Sequence, residues 1–312
     1  MLAVDIFSFL IVCVVIAGSG HILVTSLIKV ARYYGLREFV VGFILMAIIT
    51  SVPELFVGVV SALNGVSSLS FGDIIGANIV DLTLAVGIAA LLGKRIKIES
   101  ELEKRDIFYS SMITVTPLLL FLDNQLSRID GIILLIIFSL YLVRLITQRA
   151  HFRRIVADHV TRKLMKKELL FFLISLAVLL IGANYLVKLA TSLSAELTLY
   201  PIVIGLTMVS IATTLPEITF NTHSVLKGYS GMAMGDLLGS LVVNSSLILG
   251  IVAIIQPIQA YFLSFVVSSI SLMAVLTLFI IFAKTEKEIS WQEGIILIMF
   301  YTVFVISSLT LG

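Results

Sequence analysis

The chain has 312 residues, 59% of them hydrophobic and 13% charged, with a mean hydropathy of +1.15 and a formal net charge of +2. That balance excludes an ordinary soluble domain, because apolar runs of about 20 residues, long enough to cross a bilayer, recur throughout. Its one cysteine, Cys13, excludes an intrachain disulfide and a cysteine metal cluster.

In chain order, spans are predicted near residues 4–30, 38–63, 70–93, 107–123 and 129–147, then 168–192, 199–225, 233–256, 260–283 and 291–310. Short alternating segments of a membrane barrel are missing, so the spans are read as helices. The start, Met1 to Asp5, has no basic stretch, and the first run is read as a retained span rather than a cleaved signal. The polar stretch 148–167 separates a first set of five spans, residues 1–147, from a second, residues 168–312. With this count, every Lys and Arg except Arg128 and Lys188 falls on one side. The positive-inside rule makes that side cytoplasmic, places the 148–167 loop inside and puts both termini outside. The expected fold is an all-α membrane protein of ten transmembrane helices, arranged as two five-helix repeats. Because five is odd, the second repeat enters the membrane from the opposite side and the topology is inverted.

Spans two and three carry Thr50-Ser51-Val52-Pro53-Glu54 and Gly72-Asp73-Ile74-Ile75-Gly76-Ala77-Asn78-Ile79-Val80-Asp81. Spans seven and eight repeat the pattern as Thr213-Thr214-Leu215-Pro216-Glu217 and Gly235-Asp236-Leu237-Leu238-Gly239-Ser240-Leu241-Val242-Val243-Asn244. The offset is constant, 216 − 53 = 163, with no gap as far as Gly87 and Gly250. Gly42, Thr50, Pro53, Glu54, Gly65, Gly72, Asp73, Gly76 and Gly87 all recur as the same residue 163 positions later. Lipid-facing spans need to keep only hydrophobicity, so recurring carboxylates and hydroxyls at membrane depth point to a binding site.

Each proline lacks an N–H and frees a backbone carbonyl, near Ile49–Thr50 and Ala212–Thr213, and a cation is a good partner for it. Glu54 and Glu217 follow directly, Thr50, Ser51, Thr213 and Thr214 add hydroxyls, and Asp81 and Asn244 lie deep enough in their spans to join. Gly72, Gly76, Gly235 and Gly239 are spaced for close helix approach. Asp73 and Asp236 lie nearer the span starts, where interaction with a helix N-terminus is the plain reading. The set is all oxygen, which suits hard cations such as Ca²⁺ and Na⁺. Buried carboxylates without a load repel one another, and several monovalent ions, one divalent ion or protons would neutralise them. His21 and His223 are read as packing or interfacial residues, and Trp291 as an interfacial anchor.

The paired Thr-Ser/Thr-x-Pro-Glu motifs, each followed by Gly-x-x-x-Gly-Ala/Ser, resemble the two α-repeats of the cation/Ca²⁺ exchanger superfamily, and most of all its prokaryotic Na⁺/Ca²⁺ exchangers. The resemblance implies a Ca²⁺ position between Glu54 and Glu217, aided by the carbonyls of Thr50 and Thr213. It implies flanking Na⁺ positions using the Ala47 carbonyl, Ser51, Ser210, Thr214 and Ser240, with Asp81 and Asn244 at polar positions of spans three and eight. It further implies that spans one and six slide against the other eight. The chain departs from the family pattern at Ile49 and Ala212, where Gly is usual before the motif, and at Ala77, where Ser is usual. The acid and amide at positions 81 and 244 are exchanged, and Asp73 and Asp236 stand where Asn is frequent.

The expected function is antiport of Ca²⁺ against Na⁺, with H⁺/Ca²⁺ exchange as the alternative. A passive channel is disfavoured by the inverted repeat, and an intramembrane hydrolase by the lack of a nucleophile–base pair with His. The transported ions are the only bound partners expected. No cofactor, nucleic acid or protein partner is inferred, and the absence of a Gly-Lys-Ser/Thr phosphate loop argues against ATP-driven transport.

Overall fold

The structure, a computed structural model, describes residues 2–33, 46–98, 101–147, 162–285 and 287–311. It is nearly all helical. The first half runs α1 (Leu2–Tyr33), α2 (Met46–Thr50), α3 (Val52–Leu63), α4 (Ser67–Val80), a π-helical segment (Asp81–Ala85), α5 (Val86–Gly93), β1 (Arg95–Lys97), α6 (Glu101–Leu120), β2 (Gln125–Leu126) and α7 (Arg128–Thr147). The second runs α8 (Arg162–Glu196), α9 (Pro201–Ile204), a π segment (Gly205–Val209), α10 (Ser210–Leu226), α11 (Ser230–Val242), a π segment (Val243–Ile248), α12 (Leu249–Ile255), β3 (Ile258–Gln259), α13 (Phe262–Thr285), β4 (Glu288–Ser290) and α14 (Trp291–Leu311).

Among the described residues, 8 helical runs are long and apolar enough to cross a membrane, and Val52–Leu63 is a shorter apolar helix. α7 is 20 residues long but carries Arg128, Asp130 and Arg144. Part of the span expected over 38–63, including Gly42, lies outside the described residues, as does most of the loop expected over 148–167. The last part of that stretch is helical, since α8 already begins at Arg162. Lys and Arg are good helix formers, so the helix runs past the end of its apolar stretch.

The packing is that of a membrane protein. Val4, Phe7, Leu10 and Val14 of α1, Ile270 and Met273 of α13, and Met299, Val303 and Ile306 of α14 are exposed. Glu54, Asp73, Asp81, Glu217 and Asp236 are buried instead. Apolar faces toward lipid and polar groups toward the bundle interior are the arrangement a bilayer demands.

Contacts between the two copies come in exchanged pairs. β1 pairs antiparallel with β4, and β2 with β3. A shift of 163 carries β1 onto β3 and β2 onto β4, so one pair maps onto the other. The Oδ2 atom of Asp130 accepts from the Ser127 N–H (2.8 Å), and Oε2 of Glu293 accepts from the Ser290 N–H (2.7 Å), equivalent caps at equivalent positions. α1 packs along α8 through Phe9, Cys13 and Ile16 against Leu179, Ala183 and Leu186. The pair is tied near both ends, Ser192 Oγ to Asp5 (2.8 Å) and Lys29 Nζ to Glu168 (2.8 Å). These ties are also equivalent, since 5 + 163 = 168 and 29 + 163 = 192.

The recurring glycines separate into two kinds. Gly65 and Gly228 both have φ of +81°, closing the turns after α3 and α10, where a side chain would strain the backbone. Gly72, Gly76, Gly87 and Gly250 are close-packing positions. A methyl group on Gly87 would meet the Gly294 carbonyl at 2.8 Å, and one on Gly250 the Gly131 carbonyl at 3.0 Å, again an exchanged pair.

Candidate functional site

The two prolines do different things. In the first copy α2 ends at Thr50, Ser51 forms a turn, and α3 starts with Pro53 in its first turn, where a missing N–H costs nothing. In the second copy Pro216 sits inside the continuous helix α10. Thr214 Oγ1 donates to the Ser210 carbonyl at 2.7 Å, while the equivalent Ser51 Oγ has no hydrogen-bond partner. Neither copy needs a full break to free oxygens, because Pro cannot donate to the carbonyl four residues back, Ile49 or Ala212.

The fold brings the expected residues into one buried region. α3 packs on α4, α10 crosses α4 and α11, and α2 lies against α11. Ala47, Thr50, Ser51, Glu54, Asp81, Ser210, Thr213, Thr214, Glu217, Ser240 and Asn244 are each at most 1% exposed. Thr213 and Thr214 lie beside the Glu54 carboxylate. The Thr213 hydroxyl reaches Asp73 Oδ1 at 3.0 Å and the Val209 and Ser210 carbonyls at 3.3 Å, and Thr214 donates to the Ser210 carbonyl. Both carboxylate oxygens of Glu54, Glu217 and Asp81 are buried without a hydrogen-bond partner, as are Ser51 Oγ, Ser240 Oγ and Asn244 Oδ1. Ser210 Oγ donates to the Leu206 carbonyl at 2.8 Å, and the Ala47 carbonyl receives the Ser51 N–H at 3.3 Å.

Glu217 feels the charges of Glu54, Asp81 and Asp236, and Asp73 that of Glu54, so five acids share one electrostatic neighbourhood. No Lys or Arg is among the buried described residues. Among the described residues no three His, Cys, Asp or Glu side chains gather as a metal-holding group. A cation here draws on hydroxyl and carbonyl oxygens as well as carboxylates, the mixed oxygen set that Ca²⁺ and Na⁺ accept. His21 and His223 are exposed, and His21 lines an open cavity beside Leu215 and Pro216.

Asp73 and Asp236 are not helix N-terminal residues. Each lies in the middle of its helix, α4 or α11, and is fully buried. Thr213 Oγ1 donates to Asp73 Oδ1, and Thr50 Oγ1 to Asp236 Oδ1 at 3.1 Å. Each acid thus holds the motif threonine of the other copy, a partnership spanning 140 residues in one case and 186 in the other. Thr213→Val is expected to lower stability by about 1–3 kcal/mol, the cost of a buried acceptor losing its donor. Thermal unfolding in detergent checks this, and an unchanged midpoint contradicts it.

Three features escape the sequence reading. The π segments at Asp81–Ala85 and Val243–Ile248 carry Asp81 and Asn244, and a wider helical turn re-aims side chains at such positions. Asn78 is fully buried, donates to Ser245 Oγ at 2.8 Å and accepts from Asn244 Nδ2 at 3.2 Å. Asn221 of α10 is buried beside Asp236. A polar residue within an apolar span was the available signal for both asparagines.

The family described as sodium/calcium exchanger protein matches residues 4–147 and 167–310. The starts differ by 167 − 4 = 163 and the ends by 310 − 147 = 163, the spacing of the internal repeat. The chain is 26% identical to the sodium/calcium exchanger MaX1 of Methanosarcina acetivorans, over 98% of this chain and 99% of that protein. It is 27% identical to the uncharacterized membrane protein MJ0091 of Methanocaldococcus jannaschii, over 91% of each. Inner membrane protein YrbG of Escherichia coli is 28% identical over 72% of each. Among solved structures, the sodium-calcium exchanger NCX_Mj soaked with 10 mM Na⁺ and zero Ca²⁺ superposes with a TM-score of 0.70, covering 98% of this chain and 99% of that one at 24% identity. That likeness concerns the fold.

Proposed function

As a member of the sodium/calcium exchanger protein family, this multi-pass membrane chain is, we propose, a secondary antiporter that exchanges Ca²⁺ for Na⁺ by alternating access through one site shared by its two motifs. The observation that carries this reading is the pair Glu54 and Glu217, whose four carboxylate oxygens are buried with no donor. Uncompensated buried carboxylates cost several kcal/mol each, and a cation removes that cost. Ca²⁺ is assigned between Glu54 and Glu217, with the carbonyls of Thr50 and Thr213. Na⁺ is assigned to flanking positions using the Ala47 carbonyl, Ser51, Ser210, Thr214 and Ser240, with Asp81 and Asn244 completing the set. Either load neutralises the same acids, so the two compete, and competition for one site is what couples their movements.

The proposed membrane arrangement counts α2 with α3 as one span and includes α7, giving ten. Residues 1–147 and 168–312 then form inverted five-helix repeats, with 148–167 cytoplasmic and both termini outside. α1 and α8, tied to each other near both ends, are the pair assigned to slide against the remainder.

Ca²⁺ uptake into proteoliposomes is expected to rise at least about 10-fold when a Na⁺ gradient is imposed, the scale of a shared-site competition worth about 1.4 kcal/mol. Uptake indifferent to Na⁺ contradicts the reading. The second reading, H⁺/Ca²⁺ exchange, rests on the same five acids lacking a buried basic partner, and uptake that follows a pH gradient but not a Na⁺ gradient selects it.

A further inference from the structure

We infer that Asn78 and Ser245 form a relay that turns the Asn244 side chain so that its oxygen faces the cation, which makes Asn78 a positioning residue for cation affinity. The inference rests on the antiporter reading and goes beyond its ligand set. Asn78 Nδ2 donates to Ser245 Oγ at 2.8 Å, and Asn244 Nδ2 donates to Asn78 Oδ1 at 3.2 Å. All three side chains are at most 1% exposed. The remaining end of Asn244, Oδ1, has no partner.

An amide presents either an oxygen or an NH₂ group of nearly the same size, so its hydrogen-bond partners decide which end faces a site. In the structure Ser245 Oγ lies against Asn78 Nδ2, and the Asn78 oxygen faces Asn244. That oxygen takes the Asn244 NH₂ and leaves the Asn244 oxygen free for a cation. Reversing the relay aims two N–H groups at the cation and repels it.

The repeat supplies an internal comparison. Asn244 is equivalent to Asp81, Asn78 to Leu241 (78 + 163) and Ser245 to Leu82 (245 − 163). A carboxylate has two equivalent acceptor oxygens and needs no orienting partner, and both relay positions beside Asp81 are leucine. The relay exists only next to the side chain that has a wrong way round. A hydrogen bond serving only helix packing has no reason to follow the acid–amide exchange.

The test is a double-mutant cycle on the full chain in detergent, reading Ca²⁺ affinity by titration calorimetry and Na⁺-driven Ca²⁺ uptake in parallel. Asn78→Leu is expected to weaken Ca²⁺ binding about 10-fold in the parent, the scale seen when a group that orients a metal ligand is removed. In the Asn244→Asp background, where the side chain offers oxygen either way, the same change is expected to cost less than about 2-fold. Equal losses in both backgrounds, or none in the parent, overturn the relay. Ser245→Ala, a smaller perturbation, is expected to cost about 5-fold in the parent, the worth of one net hydrogen bond, and to be silent with Asn244→Asp. It decides by the same criterion if Asn78→Leu does not fold. A parent that binds Ca²⁺ with a flat cycle overturns the relay alone. A parent that binds no Ca²⁺ overturns the antiporter reading and the relay with it.

Discussion

Glu54→Gln is expected to reduce Ca²⁺ exchange at least about 100-fold while leaving the ion-free protein no less stable than the parent. The two effects have one cause. Glu54 carries two buried oxygens without donors, and the hydroxyls beside it, Thr213 and Thr214, have acceptors in Asp73 and in the Val209 and Ser210 carbonyls. In the ion-free state the charge is a liability, because a buried carboxylate lacking compensation costs several kcal/mol. Gln keeps the shape, removes the charge and adds an NH₂ group in a region rich in unpartnered acceptors. In the loaded state the same charge supplies most of the attraction for a divalent ion, and losing about 2.7 kcal/mol there is a factor of about 100.

The measurement pairs flux with thermal unfolding. The parent is expected to gain stability with Ca²⁺ concentration, by about 2.7 kcal/mol at 100 times the dissociation constant. Glu54→Gln should show no Ca²⁺-dependent shift. Retained exchange, or a retained shift, contradicts the site. Glu217→Gln is expected to behave alike, since Glu217 has the same two unpartnered oxygens.

Gly72→Ala is expected to cost about 3 kcal/mol of stability, the upper end of the overpacking range. The added methyl group would fall on the backbone carbonyl of Ile202, which cannot swing aside as a flexible side chain does. Gly205 approaches α4 from the other side, with its own added methyl directed at the Leu69 carbonyl and 2.7 Å from the Asp73 nitrogen. The two backbones touch, so forcing them apart also pulls Asp73 from Thr213 and disturbs the acids beside it. Transport is therefore expected to fall along with stability.

Gly18→Ala is the control, since nothing lies within 4 Å of a methyl group there. It is expected to stabilise α1 by about 0.5–1 kcal/mol through helix propensity alone. Thermal midpoints of the two variants in detergent check the contrast, and equal midpoints would falsify the steric argument. Gly76 lies in the same contact, with an added methyl 2.6 Å from the Leu206 carbonyl and 2.7 Å from Ser210 Oγ.

Much of this was legible in the chain. The apolar runs mark where α1, α6, α8, α13 and α14 lie, because hydropathy and helix length are local properties. The offset of 163 marks which residues are equivalent, and the close-packing reading of Gly72 and Gly76 agrees with the contacts. The helix that continues back to Arg162 and the different settings of the two prolines, at the start of α3 and inside α10, were not legible in the chain.

Asp73 and Asp236 show where local reading stops. From sequence they sit near span starts, and a helix N-terminus accounts for an acid there. Their partners, Thr213 and Thr50, lie 140 and 186 residues away. Periodicity carries no information about a contact at that separation, and only the packing of one copy against the other creates it. The same holds for Asn78, whose polarity is visible in the chain and whose partners are not.

By itself, the sequence determined the chemistry: which oxygens exist, how often they recur, and that a membrane solvent makes them costly unless something binds. The tertiary structure decided how those oxygens are used. Only the packing of one copy on the other reveals that the Thr213 hydroxyl reaches Asp73 as well as its own helix carbonyls, while both Glu54 oxygens stay without a hydrogen-bond partner.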